Sequence, residues 1–428
     1  MSAKSTTLPP RSDTLARPQS ERILTVEFWR FAFTVLVCLY HAEIFFGSPK
    51  FMPSGSSAVE FFFIIAGFLM AKSAKRNLAG RDKPVTVREA HAKAVDYVKK
   101  KLKAFYPVLI VVLLLSVLVY PIFQSTFVDR LKNLQNTEWE MLMLVGTPFG
   151  YNDGMTPIVP LWFLTHLLIV GYIFTFALYK NYDFMMFIAP VLGILFYVYF
   201  ALNSSLVLDF YVKMGFLNAG MVRAIAEMSL GVSIYALYEY LSKKKLGMGW
   251  RIVLSLLEIY AIYRLFSLMF FQPTGMENFK RTLYILIIVL LSFLNKTFIS
   301  WLLNRKIWAL LGKITFTMYL CHFHLANVYL SLLSSWKSYL LSKSMTSPSA
   351  YSMWQFLQGT GGTDSAFRPI PITFKDAILY MILVIVVSIL INLYIQFWKK
   401  MIIRPAIEFF KKREEKKAAL AQVEEDLQ

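Results

Sequence analysis

Ten stretches of this chain are almost wholly apolar and about as long as the hydrocarbon core of a bilayer is thick, and that pattern decides most of what the chain can become. They lie near 25–46, 57–72, 104–123, 160–179, 184–202, 219–240, 252–271, 282–301, 307–331 and 376–398. In lipid no water pairs with backbone N–H and C=O groups, so such stretches must close their own hydrogen bonds as helices. The pattern therefore predicts an all-α fold, a polytopic transmembrane helix bundle of about ten helices. With 57% hydrophobic and only 17% charged residues, the chain falls short of the roughly one-quarter charged residues of a soluble domain. The second stretch is short, and 204–217 reads as a re-entrant or surface segment.

Charge orients the bundle. The net charge of +19 gathers in the segment 72–103, at Lys243-Lys244-Lys245, at Arg305-Lys306 and in the tail from Lys399. The segments 124–159, 203–218, 272–281 and 332–375 carry few charges of mixed sign. With the N-terminus inside, every strongly basic segment falls on the cytoplasmic side, as the positive-inside rule requires. Residues 1–24 then form a flexible cytoplasmic tail, 25–398 a transmembrane domain, and 399–428 a charged cytoplasmic tail. The positive charge meets anionic lipid and calls for no nucleic acid. No soluble enzymatic domain is expected, and the 332–375 segment reads as a loop capping the outer mouth. Two cysteines, Cys38 and Cys321, both inside apolar stretches, give neither a disulfide framework nor a metal site.

Ionisable groups at membrane depth are costly and mark function unless each has a structural partner. The first stretch carries three: Glu27, Arg30 and His41. Eleven residues at about 100° each bring Arg30 and His41 to within roughly 20° of one face, about 16 Å apart along the axis. Glu27, Thr34 and Cys38 fall near the same stripe, which must look into a cavity or the bundle interior. Elsewhere Glu60, His166, Arg223 with Glu227, His322 and His324 are expected in the outer half of the bundle. Arg223 and Glu227, one turn apart, are spaced to pair as a structural unit. His166 is balanced between a functional residue and a hydrogen-bonded core histidine. His324 and Cys321 read as packing residues, and Glu258 and Arg264 as groups that satisfy one another.

Three ordered motifs resemble the acyltransferase 3 family of membrane proteins. One is Arg30, ten intervening residues and His41. Another is Val59-Glu60-Phe-Phe-Phe-Ile-Ile-Ala66-Gly67-Phe68-Leu69, similar to an acidic residue, an aromatic run and Ser-Gly-Phe. The third is Leu311-Gly312-Lys313-Ile-Thr-Phe-Thr-Met-Tyr319-Leu-Cys-His322, similar to the late Gly-x-x-Ser-Tyr-x-x-Tyr-Leu-x-His pattern. Arg223 with Gly231 and the run from Pro160 also look similar. Ala66 stands where the pattern has Ser, and Thr315-Phe316 where it has Ser-Tyr, so those hydroxyls receive no role.

The resemblance implies transfer of an acyl group, usually acetyl from acetyl-CoA, to a hydroxyl of an exported or cell-surface glycan, lipid-linked or polymeric. It implies a multi-pass protein of a cell membrane, the bacterial cytoplasmic membrane being the one expected. No permanently bound cofactor and no metal are expected, acyl-CoA being a substrate. Arg30, with the loop lysines, is expected to hold the donor from inside. His41 is expected to act as general base or acyl carrier, with Glu60 orienting it. Arg223 or His322 would stabilise the oxyanion, and His166 is a substrate candidate. The alternative is a proton-coupled or glycan-exporting transporter on the same scaffold, which the absence of an evident inverted repeat disfavours.

Overall fold

A computed structural model describes residues 23–46, 52–119, 160–206, 212–272, 275–344 and 374–406, with 408–409 and 412–415 of the tail. The expected loops at 124–159 and most of 332–375, the N-terminal tail to residue 22 and the last residues lie outside the described residues.

Twelve helices account for nearly all the described structure. They are α1 (Leu24–Phe46), α2 (Ala58–Leu78), α3 (Val87–Val119), α4 (Leu161–Lys180), α5 (Tyr182–Ser204), α6 (Ala219–Ser242), α7 (Met248–Phe271), α8 (Asn278–Leu294), α9 (Phe298–Leu303), α10 (Ile307–Leu311), α11 (Thr315–Ser344) and α12 (Phe374–Trp398). Among the described residues, seven stretches are long and apolar enough to cross a membrane: Leu24–Ala42, Gly55–Leu78, Leu161–Lys180, Tyr182–Ser204, Ala219–Ser242, Met248–Phe271 and Lys375–Ala406.

Several ends follow from local chemistry. Asn181, Asn218 and Thr297 cap α5, α6 and α9, each accepting a bond from the amide three residues on, at 3.1, 2.9 and 3.0 Å. Thr86 and Glu89 form a reciprocal capping box at the start of α3, with Thr86 N–H donating to Glu89 at 2.9 Å and Glu89 N–H to the Thr86 hydroxyl at 3.2 Å. Gly80, at φ 72°, turns the chain between α2 and α3 in a conformation that costs glycine little.

Four expected boundaries are corrected, one of them the start of α3, which lies at Val87 and not near 104. Helix α2 continues to Leu78, past the expected end at 72, because the hydrogen-bond ladder runs on where hydropathy stops. Asn295, at φ 52°, ends α8 inside the expected 282–301 stretch. The 307–331 stretch is broken between α10 and α11 around Gly312. The 204–217 segment leads into a two-residue hairpin, Lys213–Met214 paired antiparallel with Leu217–Asn218.

Helix α2 is central, packing against α6, α4, α8 and α1, while α11 packs against α1, α12 and α3. A Cβ on Gly67 would collide with the Met228 backbone of α6, and one on Gly231 with the Ile64 backbone of α2. Two glycines thus let α2 and α6 approach backbone to backbone, as small residues do between helices in lipid. Stacked pairs, Phe33 on Phe61 at 4.1 Å and Phe68 on Phe293 at 3.9 Å, fill the adjoining core. Helices α5, α7 and α12 show large apolar side chains outward, as faces turned to lipid would.

Candidate active site

A cavity of about 800 Å³ runs along one face of α2. Its α2 wall is a helical stripe, Phe62, Ala66, Leu69, Lys72 and Arg76, with Ala79 just past the helix end, spanning about 25 Å at 1.5 Å per residue. The Phe62 end is apolar and aromatic, closed by Phe163 and Leu164 of α4 and Tyr319 of α11. At the other end, Arg30, Lys72, Lys75, Arg76 and Lys101 line the cavity with a single carboxylate, Glu27. Five cations against one anion give this end a net positive field.

The polar stripe expected on α1 is present, and most of it faces this cavity: Glu27, Arg30 and Thr34 all line it. Arg30 is paired, one amino group donating to both Glu27 oxygens at 2.9 and 3.2 Å. Glu27 is itself held against Gly312, where a side chain would strike its carboxylate. Cys38 is not in this cavity; it is buried among Ile314, Met318 and Tyr380.

His41 turns to α11. Its Nδ1 lies 2.9 Å from the Val37 carbonyl and 3.1 Å from Nε2 of His322, and His322 Nδ1 lies 2.6 Å from the Tyr319 carbonyl. Carbonyl oxygens only accept, so both Nδ1 atoms carry hydrogen. With both rings neutral, His322 Nε2 is then an acceptor, and the His41 Nδ1–H is shared between it and Val37. His41 Nε2 is left with a lone pair and has no hydrogen-bond partner among the described residues. The Tyr380 hydroxyl donates to the His322 carbonyl at 2.9 Å, fixing α12 to the same turn. Neither imidazole lines the cavity. Tyr319 lines its deep end, and His322 is one turn further along α11, with ring centroids 5.9 Å apart.

Glu60 is not with His41, which corrects the expectation that it orients that imidazole. Its two oxygens accept from Asn278 and from the Thr282 hydroxyl, each at 2.5 Å, two residues of α8 more than two hundred positions away. The Tyr197 hydroxyl of α5 bonds Thr282 at 2.5 Å and accepts from Asn278 at 3.1 Å. Beside this group Arg223 donates to Glu227 at 3.3 Å, both buried, and lies over the Trp162 ring at 5.6 Å. His166 is engaged at both ring nitrogens, Nδ1 by the Trp162 carbonyl and Nε2 by the Asn218 side-chain oxygen at 3.0 Å. It fastens α4 to the N-cap of α6. Glu60, His166 and Arg223 thus form, with their partners, a second polar group joining α2, α4, α5, α6 and α8.

Glu258 and Arg264 do not pair. Glu258 accepts from Thr297 at 2.5 Å, because six residues of helix put the two side chains on different faces. His324 is half-buried, with its enclosed Nε2 unpartnered among the described residues, and Cys321 meets Ser388 at 3.4 Å. Among the described residues no three of His, Cys, Asp and Glu converge on a point where a metal would be held. Sequence reasoning had Tyr319 only as the tyrosine of the late motif, and did not single out Tyr380 as a support of the imidazole pair, or Tyr238 and Phe293 as cavity walls. The signal of these last three was only that of aromatic residues in apolar stretches.

The described helices thus form a membrane bundle with an elongated cavity, cationic at one end, beside an imidazole pair. The chain belongs to the acyltransferase 3 family: that family's profile, described as an acyltransferase domain, matches residues 23–397. It is a membrane acyltransferase. No curated protein and no solved structure matches the chain.

Proposed function

We propose that this acyltransferase takes its acyl group, an acetyl in the simplest case, from acyl-CoA on the cytoplasmic side and passes it to a hydroxyl of an exported or cell-surface glycan. The proposal includes ten membrane crossings with both termini cytoplasmic. The observation that carries it is the polarity of the cavity: five cations at one end, an aromatic pocket at the other, and an imidazole pair one helical turn beyond. Coenzyme A has the same gradient, from phosphates through a slender arm to an uncharged thioester. A volume of about 800 Å³ lies in the upper part of the range of small-molecule and cofactor sites.

In this reading Arg30, Lys72 and Lys101 face the phosphates, and Glu27 fixes the direction of the Arg30 guanidinium. The pantetheine arm lies along the α2 stripe, with the thioester at Phe62 and Tyr319. His41 Nε2 removes the proton of the acceptor hydroxyl, whose oxygen attacks the thioester carbonyl. The carbon–sulfur bond breaks, and the same proton passes from His41 to the departing sulfur, so the imidazole ends neutral. His322 holds the other His41 proton in place throughout, the part a carboxylate plays in a triad. General-base assistance of this kind contributes about 10²–10⁴ in rate. Glu60, His166 and Arg223 have a positioning part, holding α2, α4, α6 and α8 in register.

The test is turnover by the purified chain in lipid nanodiscs, following free thiol and labelled acyl group together. Acceptor-dependent release of CoA, with the label on a glycan hydroxyl and lost in His41→Ala, supports the proposal. Glycan movement across vesicles without thiol release would overturn it in favour of a carrier.

A further inference from the structure

The inner end of the cavity carries a feature that phosphate binding alone leaves unused. Four rings from three helices form one block: Phe68 of α2, Tyr235 and Tyr238 of α6, and Phe293 of α8. Phe68 stacks on Phe293 at 3.9 Å, with Tyr235 and Tyr238 at 5.4 and 5.2 Å from Phe68. Tyr235, Tyr238 and Phe293 line the cavity, and Lys72 sits among them. Its ammonium lies 5.2 Å from the Tyr238 centroid and 5.6 Å from that of Phe293. Two rings at the cationic end thus carry a cation on a flexible four-carbon stem. Lys75 and Arg76 follow on the next turn of α2 and also line the cavity.

A ring quadrupole that attracts an ammonium also accepts the flat face of a heteroaromatic base. The cations within one turn of the shelf answer phosphates attached to such a base. Lys72 and Phe62 are ten residues apart on α2, about 15 Å, comparable to the reach of a pantetheine arm.

We propose that Tyr238 and Phe293 are the seat of the donor's purine. The base stacks on them in place of the Lys72 ammonium, which swings onto the neighbouring phosphates. The site therefore selects an adenine-nucleotide thioester over the same phosphopantetheine arm without its nucleotide, as on a carrier protein. This rests on the acyl-CoA reading and adds to it a specificity determinant in the cavity wall.

The experiment compares acetyl-CoA with acetyl-4′-phosphopantetheine as donors for the full chain in nanodiscs. Wild type is expected to favour acetyl-CoA in kcat/KM by about tenfold or more, the scale of one stacked base. Tyr238→Leu and Lys72→Met are each expected to shrink that ratio severalfold, through KM for acetyl-CoA. Adenosine 3′,5′-bisphosphate is expected to compete with acetyl-CoA on wild type. Equal use of the two donors, a ratio unmoved by Tyr238→Leu, or failure of the bisphosphate to compete would each overturn the proposal. If the variants fold poorly, the wild-type ratio and the competition decide alone. Wild type that turns over no acyl-CoA brings down the donor reading and this inference together, a result distinct from equal use of two donors.

Discussion

His41 of α1 and His322 of α11 meet at 3.1 Å, Nδ1 to Nε2, across 281 residues of chain. Each ring is tied by its own Nδ1 to a carbonyl of its own helix, Val37 and Tyr319. The two tethers leave one ring nitrogen with an open lone pair, and it belongs to His41.

His41→Ala should therefore reduce kcat by about 10²–10⁴, with the donor KM little changed. His322→Phe should lower kcat less, because Val37 still holds the His41 proton, and His322→Gln should recover part of the loss. Steady-state kinetics on purified variants check this order, and a His322→Phe defect as deep as that of His41→Ala would reverse the two roles.

Arg30→Ala removes a guanidinium from the cationic end of the cavity. The donor KM should rise about tenfold or more, since a hydrogen bond to a charged group contributes about 1.5–3 kcal/mol. Raising salt should weaken donor binding to wild type more than to the variant, which a binding isotherm at two ionic strengths measures.

Gly67→Ala places a methyl group against the Met228 backbone, where no flexible side chain can give way. Overpacking of this kind costs about 1–3 kcal/mol. The melting midpoint in detergent should fall by several degrees, and Gly231→Ala, against Ile64, should act alike.

The turn before α3 has a pH dependence of defined sign. Arg81 donates to Glu89 at 2.8 Å, and Thr86 adds its amide and hydroxyl, together holding the Glu89 carboxyl down to about 2. A depressed acid contributes order that is full above the ordinary carboxylate range and lost as pH falls toward about 2. Amide exchange at 86–89, corrected for intrinsic rate, should speed up in wild type between pH 5 and pH 2, values about the carboxylate range. Glu89→Gln should show fast exchange at both.

How much of this was legible beforehand follows from the range of each interaction. Glu27, Arg30 and Thr34 share a face of one helix, and spacing alone put them there. The meeting of His41 with His322, or of Glu60 with Asn278, depends on which helices are neighbours, and no periodicity within a helix encodes that. Hydropathy placed His322 in the outer half of its helix, but nothing in the sequence placed it beside His41. The helix limits were misjudged at 72 and 104 for a different reason. Lys, Arg, Glu and Ala favour helix as well as Leu does, so α2 and α3 run beyond the apolar stretch into their polar ends. The break at Gly312 was hidden because Leu311 and Ile314 keep the stretch apolar.

The glycine contacts between α2 and α6 have one more effect. At two levels these helices touch through main chain alone, leaving no side chain to rotate aside and no slack between them. The stripe from Phe62 to Ala79 is thus a stiff rail, held from behind. In the proposed reading, the breathing that admits the donor and releases the spent thiol comes from the other lining helices, α1, α3, α4 and α11. Two of those helices, α1 and α11, also carry Arg30, His41 and His322, so in that reading loading the cavity and aligning the imidazole pair beside it become one motion.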